Sequence, residues 1–293
     1  MTIVLGDNQY GKAETHVVRV TKEGPGGGVH DIKDMTVTVA LAGDFAATHI
    51  TGDNSKVVPT DTQKNLVFAL ARETPVGEIE DFGLRLAHHF LREYPSVRRA
   101  RVFIEEHPWH RIATGGRPHP HAFVRAGSEK RLTSVTATRD SEWVVSGLTE
   151  ITLLKTSGSE FSSYPKDRYT TLPETRDRVL ATAVDARWRY TGSGIDWSGA
   201  HAEARRLLIE TFAITHSLSL QQSLYAMGKA VLESRPEVAE IRLSMPNKHH
   251  FVVDLKPFGL DNDNEVLYAA DRPYGLIKGT VARDDVAPAE EAW

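Results

Sequence analysis

IRLSMPNKHHFVVDL, residues 241–255, is the stretch from which the rest of the chain can be read. As a strand it alternates. Ile241, Leu243, Met245, Phe251, Val253 and Leu255 fall on one face, and Arg242, Ser244, Lys248, His250 and Asp254 on the other. An antiparallel strand with one buried face has this pattern, because side chains two apart share a face. The alternation breaks at Asn247 and His249, where an amide and an imidazole stand in place of apolar side chains. Burying either without a partner costs about 1–3 kcal/mol, so each requires polar company. Three placements supply it: a wet strand end beside Pro246, hydrogen bonds to protein neighbours, or a ligand cavity roofed by the sheet.

Upstream, Leu220, Leu224, Met227 and Val231 recur at helical spacing within 219–234, and Arg235-Pro236 stops that helix. The same join occurs earlier. A helix over 77–93, with Ile79, Phe82, Leu86 and Phe90 as its inner stripe, ends at Tyr94-Pro95. Pro95 and Pro236 stand 141 residues apart, and that offset lays Ala100, Val102 and Ile104 onto Ile241, Leu243 and Met245. Further strands are predicted over 9–22, 34–42, 97–106, 122–138, 143–155, 178–190 and 265–281, and further helices after Thr60 and after Asp196. The order strand–strand–helix–helix–strand–strand therefore appears twice, which predicts an α+β protein of two tandem domains, 1–140 and 141–293. In the first copy Glu106 and Pro108 occupy the positions of Asn247 and His249, so a site in the second half need not be mirrored in the first.

The 293 residues are 40% hydrophobic and 25% charged with a net charge of −4, an ordinary globular composition that argues against a general nucleic-acid or anionic-membrane binder. No apolar run reaches membrane-spanning length and no secretory leader is legible, so neither membrane nor export is expected. Cysteine is absent, which removes disulfides, thiolate nucleophiles, thiolate-bound zinc and iron–sulfur clusters and fits a cytoplasmic protein. The acidic end, APAEEAW, reads as a frayed tail and lacks a Ser-Lys-Leu peroxisomal signal.

Three local features have competing readings. Glu23-Gly24-Pro25-Gly26-Gly27-Gly28 lacks the Gly-Lys-Ser/Thr of a phosphate loop and reads as a hairpin tip. Thr60 or Asp61, after Pro59, caps the helix that follows, or the free N–H groups there bind an anion. His107, His110, His119 and His121 suit zinc or copper as residue types, but Pro108, Pro118 and Pro120 make the segment a loop and no carboxylate has a diagnostic spacing.

Short strings spread along nearly the whole chain, in order, resemble the urate oxidase (uricase) family. They are Tyr10-Gly11-Lys12, Asp53-Asn54-Ser55 with Thr60-Asp61 and Lys64-Asn65, Phe161, and Tyr169-Thr170-Thr171-Leu172 leading to Arg178. Ser219-Leu220-Gln221, Pro246-Asn247-Lys248-His249 and Gly275-Leu276-Ile277-Lys278 complete the set. The resemblance implies two tunnelling-fold (T-fold) domains, each a four-stranded antiparallel sheet with two helices on one face, in a homotetramer that encloses a tunnel. It also implies oxidation of urate by O2 to 5-hydroxyisourate and hydrogen peroxide, with no metal and no organic cofactor.

By the same resemblance Arg178 and Gln221 bind urate, Phe161 stacks on the purine, and Leu172, Leu220 and Ile277 form the apolar lining. Asn247 holds oxygen or water above the ring, and Asp61 offers its backbone N–H. Lys12 and Thr60 of a neighbouring subunit form a proton relay with His249. Gln222, Ser163, Tyr164 and Pro165 stand beside matched residues without a role. Two other classes share the architecture: T-fold enzymes acting on pterins or guanine nucleotides, which commonly use a metal, and non-catalytic purine-binding assemblies.

Overall fold

A computed structural model describes residues 1–22, 28–270 and 272–293. The glycine-rich stretch, apart from Gly28, lies outside the described residues. The chain divides into two compact units, one of residues 1–147, 189–198 and 287–293, the other of 148–188 and 199–286.

In the first unit β1 (Tyr10–Lys22), β2 (His30–Gly43) and β3 (Val97–Glu106) are antiparallel neighbours. A short α1 (Ala46–Ile50), α2 (Thr60–Glu73) and α3 (Ile79–Glu93) separate β2 from β3. A side hairpin follows, β4 (Trp109–Thr114) with β5 (Arg117–Arg125). Next come β6 (Lys130–Thr138), paired with β3, and β7 (Glu142–Lys155), whose leading residues complete this unit's sheet. The predicted stripe Ile79, Phe82, Leu86 and Phe90 is fully buried, facing Val102, Ile104 and Val135 of the same core.

The second unit takes the rest of β7, most of β8 (Leu180–Tyr190) and of α4 (Trp197–Ile214), then α5 (Leu220–Ser234) and β9 (Val238–Asn247). A small pair, β10 (His250–Val252) and β11 (Leu267–Ala269), precedes β12 (Gly275–Ala282), which is antiparallel to β9. The internal repeat is close. Shifted by 141 residues, α3 becomes α5 and β3 becomes β9, end for end.

Five expectations are corrected. Residues 241–255 are not one strand: β9 ends at Asn247, and β10 belongs to another ladder, so Phe251 is 49% exposed instead of buried. The stretch 122–138 divides between the end of β5 and β6, which lie in different ladders. The stretch 265–281 likewise divides into β11 and β12. Pro118, Pro120, His119 and His121 lie in β5, a strand of a two-stranded sheet and so an edge strand, the setting in which proline is tolerated. The C-terminus is docked, with Ala289 and Ala292 buried beside Val145 and the Ala292 carbonyl accepting from Arg101 at 2.9 Å.

β1 carries a feature that positions Lys12. Lys12 pairs with Val39 but Thr15 pairs with Val37, so β1 holds one residue more than β2 between these pairs, and Glu14 takes φ 54°. Directly paired residues share a face. Below the bulge Thr15 and Val17 face the core; above it Tyr10 and Lys12 do, opposite Leu41 and Val39. Gly11 sits where a Cβ would fall 1.8 Å from the Val39 carbonyl oxygen. Gly11→Ala must therefore push β1 off β2. We expect a loss of about 1–3 kcal/mol of stability, as for overpacking elsewhere, measured by denaturant unfolding. An unchanged midpoint would contradict the close approach.

Candidate active site

β9 and β12 pair down to Asn247 opposite Gly275, where Pro246 has just removed an N–H from the strand. Lys248 then donates its N–H to the Ala181 carbonyl at 2.8 Å, and the His249 carbonyl accepts from Ala270 at 2.9 Å, which starts the β10–β11 ladder. Asn247 and His249 thus stand where the chain passes between two ladders. Their polar groups on an otherwise apolar face are explained by this corner, which is both a strand end and the wall of a cavity.

That cavity, about 360 Å³, is lined by Phe161, Leu172, Arg178, Asn247 and His249, with Thr175, Asp177, His250, Phe251 and Asn264 among the rest. Its size lies within the roughly 300–1,000 Å³ usual for small-molecule sites. Another cavity of the same unit, bordered by Asp185, Arg187, Arg242 and Lys278, has no aromatic wall. A flat ring would have no face to lie on there.

Arg178 is half-buried, and its Nε has no hydrogen-bond partner. Burial draws its pKa below the ordinary guanidinium value, although an arginine stays charged near neutrality. Its guanidinium carbon lies 5.2 Å from the centre of the Phe161 ring. The His249 pKa is lowered by burial, then by the positive charges of Arg178 and His250, so the imidazole is neutral at neutral pH.

The loop carrying Phe161 and Leu172 is braced. Phe161 and Thr175 exchange backbone hydrogen bonds at 2.9 and 3.0 Å, and the Arg178 N–H reaches the Ser159 carbonyl at 2.9 Å. Tyr164, to which the sequence assigned no role, stacks on Phe161 with ring centres 4.8 Å apart and donates its hydroxyl to the Leu172 carbonyl at 2.5 Å. An aromatic residue three positions from Phe161 was the available signal.

Leu220 and Gln221 do not line this cavity. Leu220 is buried in the core, and Gln221 is exposed at the start of α5, where Ser219 caps the helix by accepting from Gln222 at 3.2 Å. Ile277 is also outside the lining, but its Cδ1 lies near the Asn247 side chain: a Cβ on Gly275 would be 3.7 Å from the one and 3.9 Å from the Asn247 Cβ.

Lys12, Thr60 and Asp61 belong to the first unit. The expected side-chain cap is absent: Pro59 occupies the N-cap position and Thr60 is already helical. Asp61 directs its carboxylate to Lys64 at 2.5 Å and Asn65 at 2.9 Å. These bonds lower its pKa, with a smaller share from the charge of Lys12, which places Lys12 near the start of α2. The Tyr10 hydroxyl accepts from the Val58 N–H at 2.8 Å, fastening β1 to the segment before Thr60.

The family model described as "Uricase" matches residues 8–136 and 144–278. A uricase of Arthrobacter globiformis is 49% identical over 99% of this chain and 94% of its own length. One of Dictyostelium discoideum is 40% identical over 95% and 97%. The crystal structure of the Arthrobacter globiformis uricase superposes with a TM-score of 0.94, covering 99% of this chain and 98% of that one. A Bacillus sp. TB-90 urate oxidase, 23% identical, matches at a TM-score of 0.81 over 94% and 100%, a likeness of fold.

Proposed function

The chain belongs to the uricase family, and from that premise we infer that it oxidises urate with dioxygen at the site built around Arg178, Asn247 and His249. Urate, O2 and water give 5-hydroxyisourate and hydrogen peroxide. The α+β architecture is the family's tunnelling fold. The observation that carries this reading is an unbonded, half-buried arginine beside an aromatic face, with an amide and a neutral imidazole in the same cavity wall.

Urate is its own reductant: stripped towards the dianion, it is electron-rich enough to give electrons to oxygen. The protein needs to bind, deprotonate and hold the partners. Arg178 presents a planar fork to a carbonyl oxygen and ring nitrogen. Phe161 stacks on the purine, an offset contact worth about 0.5–1.5 kcal/mol, with Leu172, Leu220 and Ile277 as apolar neighbours and Gln221 reaching the urate edge. Asn247 holds oxygen or water above the ring.

Lys12 and Thr60 come from a neighbouring subunit. The Asp61 N–H, one of the first amides of α2 and so without an intrahelical partner, meets the urate there. His249 accepts a proton bond from Lys12 directly or through water. In this reading the protein is a cytoplasmic homotetramer of tandem T-fold domains, 1–140 and 141–293, enclosing a tunnel. Among the described residues no helix is long and apolar enough to cross a membrane.

Loss of urate absorbance with matching oxygen uptake and peroxide release, in protein stripped by a chelator, tests the chemistry. Turnover is expected to be unchanged by chelation. Activity lost on chelation and restored by one particular metal would sink the metal-free reaction. Mixing tests the shared site. At urate concentrations well below KM, Thr60→Ala and Arg178→Ala proteins should each lose most of their activity, and exchange of subunits should restore it, since some interfaces then receive both damaged residues and leave others intact. Verified exchange without recovery would put the site within one subunit.

A further inference from the structure

Of the four histidines read from sequence as a loop set, His107, His110, His119 and His121, only His107 joins a His and carboxylate cluster among the described residues. His16 on β1, Asp34 on β2 and His107, just after β3, bring one ligand atom each within 4.8 Å of one another. Register explains the meeting. His16 pairs with Thr36 and Asp34 with Val18, so His16 and Asp34 share the sheet face opposite the core residues Val17 and Met35. On that face Asp34 is nonetheless only 3% exposed.

We propose that His16, Asp34 and His107 bind a divalent transition-metal ion of the zinc class, at a site separate from urate oxidation, that fastens the root of the β4–β5 hairpin to the sheet. Two imidazoles and a carboxylate with a fourth position open to water are a donor set that zinc accepts. His16 Nε2 already stands 2.6 Å from Asp34 Oδ1, the ion taking the place of the proton between them. Outer contacts orient the carboxylate as second-shell groups do in metal sites. Trp109 Nε1 donates to Asp34 Oδ2 at 2.9 Å and Arg125 approaches the same oxygen at 3.2 Å, leaving Oδ1 to face the histidines.

The backbone fixes the third ligand, because the His107 N–H bonds the Asp34 carbonyl at 2.8 Å. The His107 ring, which shares Nε2 with the Thr36 hydroxyl at 2.8 Å, turns to bring the donors to the roughly 3–3.5 Å separation that zinc–nitrogen bonds of about 2.0–2.1 Å set. With no cysteine in the chain, no thiolate competes for the ion.

The test uses untagged, chelator-stripped protein titrated with zinc chloride by calorimetry, and with cobalt chloride followed by its visible d–d absorption. The expected result is a single ion per chain, a rise in the unfolding temperature on addition of zinc, and a loss of at least about 10-fold in affinity in His107→Ala and in His16→Ala. His119→Ala/His121→Ala, whose rings pack 4.6 Å apart on the neighbouring hairpin, should bind as wild type. None of these residues belongs to the urate site, so unchanged urate turnover certifies that each variant is folded. Equal affinity in wild type and His107→Ala, loss of binding only in the His119/His121 variant, or no binding of either metal by the folded wild type would each overturn the proposal.

Discussion

Arg178→Ala should raise the KM for urate about 10- to 100-fold, the equivalent of the roughly 1.5–3 kcal/mol carried by hydrogen bonds to a charged group. The figure rests on placement. The guanidinium is half-buried in the cavity wall, and its enclosed Nε makes no bond within the protein, so part of its donor capacity is unmet there. Alanine removes the charge and the planar fork together and leaves Phe161 without the cation 5.2 Å from its ring. Arg178→Lys keeps a charge but not the two-pronged geometry, and should recover only part of the loss. Steady-state kinetics and direct binding of a non-oxidisable xanthine analogue measure both. A KM within twofold of wild type in the alanine variant would remove Arg178 from the binding site.

Lys12→Met should have the opposite signature, a fall in kcat of about 10²- to 10⁴-fold, the usual contribution of a positioned acid or base, with KM nearly unchanged. Methionine retains much of the stem's length and none of its proton chemistry. The pH profile adds a second check. Because burial and then the charges of Arg178 and His250 lower the His249 pKa, the acid limb of kcat/KM attributable to this residue should lie below the ordinary histidine value of about 6.5. His249→Asn should abolish that limb. If Lys12→Met left kcat intact, the relay would have to be rebuilt around another group.

Helix-to-strand joins were the most legible part of the fold. The periodicity of Leu220, Leu224, Met227 and Val231, the stop at Pro236 and the 141-residue offset describe α5 and β9 closely, since they depend on local spacing and on proline's missing donor. What could not be read was non-local. Phe251 and Val253 continue the alternation of β9, but Phe251 pairs with Tyr268 in a different ladder, and no local pattern announces a change of partner. The docked C-terminus was hidden for the same reason, because Val145, its cover, is far away in the sequence.

For the site, periodicity alone singled out Asn247 and His249 as polar intruders. Phe161, Leu172 and Arg178 became legible only through the family's short strings, because a loop braced by the Phe161–Thr175 pair has no hydrophobic period. Tyr164 escaped notice because its stacking and its hydroxyl bond depend on how that loop folds back.

The bulge in β1 makes the position of Lys12 a matter of counting. Lys12 and Thr15 stand three apart, a spacing that in an unbroken strand would put them on opposite faces, and the extra residue returns both to the core face. Loss of a single codon at Ala13 or Glu14 would leave a regular two-residue step, with Lys12 still opposite Val39 and Thr15 opposite Val37, so neither would change face. Gain of one residue with the bulge retained would instead slip the pairing by one and turn Lys12 and Tyr10 to the other side of the sheet, away from α2 and Val58. No side chain at the site need be substituted for this to happen. In-frame insertions in this segment are therefore a route to inactivation distinct from missense change. Lineages of this gene should tolerate added residues between β1 and β2 far more readily than between Lys12 and Thr15.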